Sequence, residues 1–159
     1  MSKTVWTFTN QRELNKSEFI NYFERKVFRT IRKYDMLPKN KIITLKDSND
    51  LNTIVLKKII EKKFEVKFST NPNLSVDNLS QIAEDTFKQI LKGDFKKQIQ
   101  KNVPLSQLSD KEVEIYAELT NVKGTKRKQD KKIQSLFDKF LKKNQDLELN
   151  ILKAIGQLN

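Results

Sequence analysis

Between Asn15 and Tyr34 the apolar residues Phe19, Phe23, Val27, Ile31 and Tyr34 recur every three or four positions, the period that gathers side chains onto one face of an α-helix. Asn15, with Glu18 three residues later, has the form of a capping box, so the helix is expected to start there. After Pro38 the pattern changes. Ile42 to Leu45 is β-branched enough for a short strand; Leu51, Ile54, Val55, Lys58 and Ile59 restore the helical period; "EVKFST", residues 65–70, alternates as a strand does. Strand, helix, strand is a βαβ unit, which predicts parallel pairing through a right-handed crossover.

The turn-rich "TNPNLSVDN" leads into a helix whose predicted inner face is Leu79, Ile82, Ala83, Thr86, Phe87, Ile90 and Leu91, stopped by Gly93. A second short helical stretch follows. In "VPLSQLSDKEVEIYAEL" Ser109 and Glu112 form another capping box, with Val113, Tyr116, Ala117 and, at the margin, Leu119 facing inward. The last third reads as helix. "KKIQSLFDKFLKKN" places Ile133, Leu136, Phe137, Phe140 and Leu141 on one side, and "LELNILKAIGQL" places Leu147, Ile151, Ile155 and Leu158 on one side. No internal repeat is visible.

Charge narrows the partners. Among 159 residues, Lys and Arg outnumber Asp and Glu by 32 to 20, a formal charge of +12, and a pI near 9.8 points to a polyanion, RNA or DNA first. The absence of cysteine and histidine excludes disulfides, thiolate nucleophiles, zinc ribbons and Ser-His-Asp triads. Only carboxylate, Lys, Tyr or Ser chemistry remains. The adjacent acids Glu84 and Asp85, and Glu112 and Glu114 two apart, do not converge as an acid–base pair. No apolar run spans a bilayer and the first residues lack a signal-peptide core, so a cytoplasmic protein with no membrane partner is expected.

The turn inside the βαβ unit, Leu45 to Asp50, stands where nucleotide-binding proteins place a phosphate loop. Such a loop works by converging backbone N–H groups on the anion at a helix N-terminus, which normally requires glycine. Here there is none, and two carboxylates occupy the turn. It reads as a polar turn whose Asp and Ser cap the next helix.

The order of segments resembles the PP-loop ATP pyrophosphatases that thiolate tRNA, the 2-thiouridine and 2-thiocytidine type. "EFINYFERKVFRTIRKYDML" resembles the family's first helix, and "KIITLKDSNDLNTIVLKKI" follows where the family has a strand, SGGKDS and a helix. "STNPNLSVDNLSQIAEDTFKQILKGD" resembles the family's "ATGHNLDDxAE…LLRGD" segment, "VPLSQLSDKEVEIYAEL" its "IPLxxIPEKEVxxYA", and residues 136–158 its C-terminal helical pair. The resemblance implies a helix-rich α/β fold with a small parallel sheet and a C-terminal helical region. It implies a PP-loop-like domain over residues 1–120, with a basic linker and helical pair packed on it over 121–159. The departures imply a truncated, degenerate member. Lys46, Asp47 and Ser48 are all that can correspond to the nucleotide loop, the cysteines and zinc ribbons are missing, and a sheet of so few strands leaves edges that call for a partner.

The basic residues remain. Arg25, Arg29, Arg32 and Lys33 share the face of the first helix opposite Phe19, Phe23 and Val27, either as its solvated side or as a contact for polyanion. Lys123, Lys126, Arg127, Lys128, Lys131 and Lys132 surround a flexible glycine and run onto a helix N-terminus, where cations are disfavoured unless an anion compensates; a phosphate backbone would supply one. Trp6, Phe8 and Tyr22 could stack on bases, although Trp6 and Phe8 alternate with Val5 and Thr7 as in a small strand of the core. The resulting expectation is a noncatalytic RNA-binding protein without a cofactor or metal, binding tRNA as partner of an active PP-loop paralogue. The alternatives are a structural, ribosome-associated protein that binds rRNA among ribosomal neighbours, and a minimal ATP-dependent tRNA-modifying enzyme.

Overall fold

The computed structural model describes residues 3–94 and 102–158. A hairpin of β1 (Thr4–Thr7) and β2 (Glu13–Asn15) leads into α1 (Lys16–Lys33). The capping box at its start is formed: Glu18 donates its backbone N–H to Asn15 Oδ1, and Asn15 N donates to Glu18 Oε1, both at 3.0 Å. Phe19, Phe23, Val27 and Ile31 are buried as the periodicity requires, whereas Tyr34 lies beyond the last turn and is exposed.

β3 (Ile42–Leu45), α2 (Leu51–Ile60) and β4 (Glu65–Phe68) form the βαβ unit, with β3 and β4 parallel in register Ile42 to Glu65 through Leu45 to Phe68. α2 is the hub of the core. Leu51, Val55, Leu56, Ile59 and Ile60 are all buried, because α1, β4 and α4 (Asp110–Leu119) pack on it from different directions. Phe23 of α1 stacks on Tyr116 of α4 with ring centroids 4.5 Å apart, which joins the two helices across one core.

The open edge of β3 carries its own substitute for a strand. Asn73 Oδ1 accepts Thr44 N at 2.9 Å, Asn73 N donates to Thr44 Oγ1 at 2.8 Å, and Asn73 Nδ2 donates to Ile42 O at 3.1 Å. Leu74 N adds a bond to Thr44 O. On the β3 side a side-chain amide thus satisfies backbone groups that an unpaired edge would expose.

α3 (Leu79–Leu91) ends at Gly93, whose φ of +77° is the left-handed conformation of a helix stop. Leu91 is 66% exposed and leaves the predicted inner face. α5 (Lys131–Leu141) and α6 (Leu147–Leu158) pack against α3, with Ile133 and Phe137 meeting Ala83 and Phe87 in a second, smaller cluster. Leu136 is 43% exposed and turns away from it. The short helical stretch expected after Gly93, and the packing of Phe140, Ile155 and Leu158, lie outside the described residues. Residues 121–130 are ordered but not helical, which corrects the reading of the last third as helix throughout. No helix among the described residues is long and apolar enough to cross a membrane.

Candidate functional site

The turn between β3 and α2 folds back on itself. Asp50 is the N-cap of α2: its Oδ1 accepts Thr53 N at 2.8 Å, and its Oδ2 accepts Thr53 Oγ1 at 2.9 Å and Ser48 Oγ at 2.5 Å. A second segment of the chain then lies alongside. Leu51 N donates to Thr125 O at 2.7 Å and Thr125 N donates to Asn49 O at 2.9 Å, a two-bond parallel bridge. The first and third amides of α2, which in a phosphate site would face the anion, are therefore engaged by Thr125 and Asp50.

Gly124 permits this approach. A Cβ there would stand 2.9 Å from Ile54 Cδ1, 3.1 Å from Asn49 O and 3.1 Å from the Leu51 Cα, so this glycine lies against backbone and is no flexible joint. Lys46 and Asp47 are exposed beside the turn, and Ser48 is spent on Asp50.

Arg127 holds the segment down. Its side chain is only 9% exposed; Nε donates to both Asp110 oxygens at 2.8 and 2.9 Å, and Nη1 donates to Gln81 Oε1 at 3.2 Å and Glu84 Oε2 at 3.1 Å. Burial alone would lower its pKa, but the hydrogen bonds and charge of Asp110, then of Glu84, more than offset this and hold it above the usual value. Arg127 therefore leaves the set of surface cations. Its Nη2 is buried without a partner beside a space of about 180 Å3 between Asn52, Glu114, Lys126 and Gln129. That is room for water or a small ion, below the roughly 300 Å3 at which pockets for organic ligands begin.

The anion expected at the start of α5 comes from the protein. Asp130 Oδ1 accepts Lys132 N at 3.0 Å and Ile133 N at 3.2 Å, and Lys88 lies 3.3 Å from its Oδ2. The bond from Ile133 first, then Lys88, hold the Asp130 carboxyl below the usual range. No phosphate is required to offset Lys131 and Lys132 there.

The other predicted cations remain on the surface. Arg25, Arg29, Arg32 and Lys33 are exposed along α1, and Lys123, Lys128, Lys131 and Lys132 are exposed on the far segment, with Lys126 in a loose pair 3.7 Å from Glu114. The two groups sit on different elements. Of the aromatics, Trp6 is buried, while Phe8 and Tyr22 are half-buried and meet edge to face at 5.2 Å.

What sequence reading missed is a cavity of about 550 Å3 bounded by Trp6, Tyr22, Ser80, Glu112 and Glu148. These five residues come from five separate elements, so spacing could not assemble it. One signal was present: Glu148 falls on the same helical face as Ile151 and Ile155, a charge in an apolar register.

The sequence matches no protein-family model and no curated protein. The fold does match a solved structure, the U34-tRNA thiolase NcsA from Methanococcus maripaludis with its 4Fe-4S cluster, at a TM-score of 0.75 and 14% identity, covering 98% of this chain and 84% of that one. The chain thus has a PP-loop, tRNA-thiolase-like α/β fold. The cluster does not fit it: there is no cysteine or histidine to ligate iron, and no three acidic side chains among the described residues are grouped to hold a metal.

Proposed function

We propose that this chain is a noncatalytic RNA-binding protein, a shortened relative of tRNA-thiolating enzymes that binds tRNA and serves as partner to an active thiolation subunit. The observation that carries the reading is the seat of Gly124 and Thr125 on the N-terminus of α2, within a tRNA-thiolase-like fold. Where a nucleotide-binding relative of this architecture would offer amides to a pyrophosphate, this chain offers them to its own backbone and to Asp50. The fold is then left with shape and charge.

The charge is suited to polynucleotide. Arg25, Arg29 and Arg32 repeat at four and three residues along the exposed side of α1, a spacing of about 5–6 Å at each step. Backbone phosphates met this way give affinity without base specificity, so recognition of a particular tRNA falls to its shape or to the partner subunit.

The test is a pair of titrations on the full chain. Fluorescently labelled tRNA is expected to bind with an affinity that falls steeply with salt, and magnesium-ATP is expected to give no saturable heat in calorimetry. Saturable ATP binding, or adenylation of tRNA, would overturn the noncatalytic reading. A strong preference for ribosomal RNA over tRNA would overturn the thiolation partnership in favour of a ribosomal role.

A further inference from the structure

Six carboxylates and three lysines line the 550 Å3 cavity, an acidic enclave in a chain of net charge +12. Deepest among the acids is Glu148, 5% exposed, whose two oxygens each lie 2.9 Å from the donating Ser80 Oγ. No ion pair reaches it among the described residues. The contrast with Glu84 is instructive: that acid is equally buried and is paired with both Arg127 and Lys88. A buried carboxylate served by one hydroxyl lacks the cation that normally offsets its desolvation.

A second buried group at the wall has no hydrogen-bond partner among the described residues. Trp6 Nε1 is buried with no acceptor, and Trp6 lines the cavity. The aromatic walls already receive ammonium groups from the chain itself, Lys26 Nζ lying 5.2 Å from the Tyr22 ring centroid and Lys111 Nζ 5.7 Å from that of Trp6. The volume falls within the roughly 300–1,000 Å3 of small-molecule pockets. A bare metal ion is disfavoured, because the acids are not grouped as a metal site.

We infer that this cavity binds a small organic cation, an alkylammonium or guanidinium compound, with Glu148 as its counter-ion and the Trp6 and Tyr22 rings as its cation–π wall. Asp110 and Glu112 of α4 add negative potential; Arg127 opposes it, Lys26 and Glu114 are half-buried on the lining, and Lys111, Asp138, Lys142 and Asp146 are the exposed charges around the mouth. The inference stands apart from RNA binding, since none of these groups belongs to the α1 stripe.

Trp6 is the single tryptophan, so its emission reports occupancy directly. Spermidine and agmatine, titrated into the full chain at constant ionic strength near pH 8, are expected to change it saturably. The affinity is expected to fall at least tenfold in E148Q and to weaken toward about pH 6, where the carboxyl takes up a proton. Amide NMR shifts in the wild-type protein, centred on Ser80, Glu112 and Glu148, locate the site whatever the variant's stability. A lack of saturable response to either amine at millimolar concentration, an unchanged response in E148Q, or a response to inorganic phosphate instead would each overturn the inference.

Discussion

Leu51 gives its backbone N–H to the Thr125 carbonyl at 2.7 Å, across a separation of 74 positions along the chain. That bond ties the basic segment after α4 to the N-terminus of the central helix, and Gly124 must sit flat against Asn49 and Leu51 for it to form.

Gly124→Ala is therefore expected to be costly out of proportion to one methyl group. Ile54 Cδ1 at 2.9 Å can turn aside, but the two backbone atoms at 3.1 Å cannot rotate away, so the segment or the turn must give by a few tenths of an ångström, at about 1–3 kcal/mol. Urea unfolding should show the loss, and hydrogen exchange should show the Leu51 amide newly exposed.

Arg127 and Lys128 are neighbours with opposite expected behaviour. Arg127→Ala leaves the 3%-exposed carboxylate of Glu84 with Lys88 as its remaining cation and removes the ion pair of Asp110, which should cost about 3 kcal/mol, the lower end for breaking a buried pair. Lys128→Ala should move stability by under about 0.5 kcal/mol while weakening tRNA binding. Thermal denaturation alongside an RNA titration separates the two roles.

Removing Arg25, Arg29 and Arg32 together, as alanines, should leave the fold intact because all three point to solvent. If each meets a phosphate, the slope of log affinity against log salt should shrink by about 2, at roughly 0.7 per lost contact with single-stranded RNA. An unchanged slope would return the stripe to the ordinary solvated side of a helix.

Glu148 sets a pH dependence with a definite sign. Burial first, then the charges of Asp110 and Glu112, push its carboxyl up to about 7, against the downward pull of Ser80 and Arg127. The folded state binds this proton more tightly than the unfolded chain does. The stabilisation is complete below about pH 4.5 and is lost as pH rises to about 7, a change of roughly 3 kcal/mol at 1.36 kcal/mol per unit. E148Q, which cannot ionise, should lack this decline, so its melting temperature should exceed that of the wild type above about pH 7 and the two should converge in acid.

The elements were written locally, and so could be read locally. Asn15 with Glu18 and Ser109 with Glu112 place two helix starts to the residue, because a capping box is a contact between positions three apart. Phe19, Phe23, Val27 and Ile31 give the buried side of α1 for the same reason, and the absence of glycine from Leu45 to Asp50 already argued against a phosphate cradle. Tertiary structure alone decided the partners of single side chains. Arg127 read as one cation in a basic run, but Asp110 and Glu84 arrive from 17 and 43 positions away to bury it; Asn73 closes the β3 edge from 29 positions away; and Glu148 meets Ser80 across 68. Periodicity and capping act over a single helical turn, whereas desolvation and charge pairing depend on which distant segments the fold brings within a few ångströms.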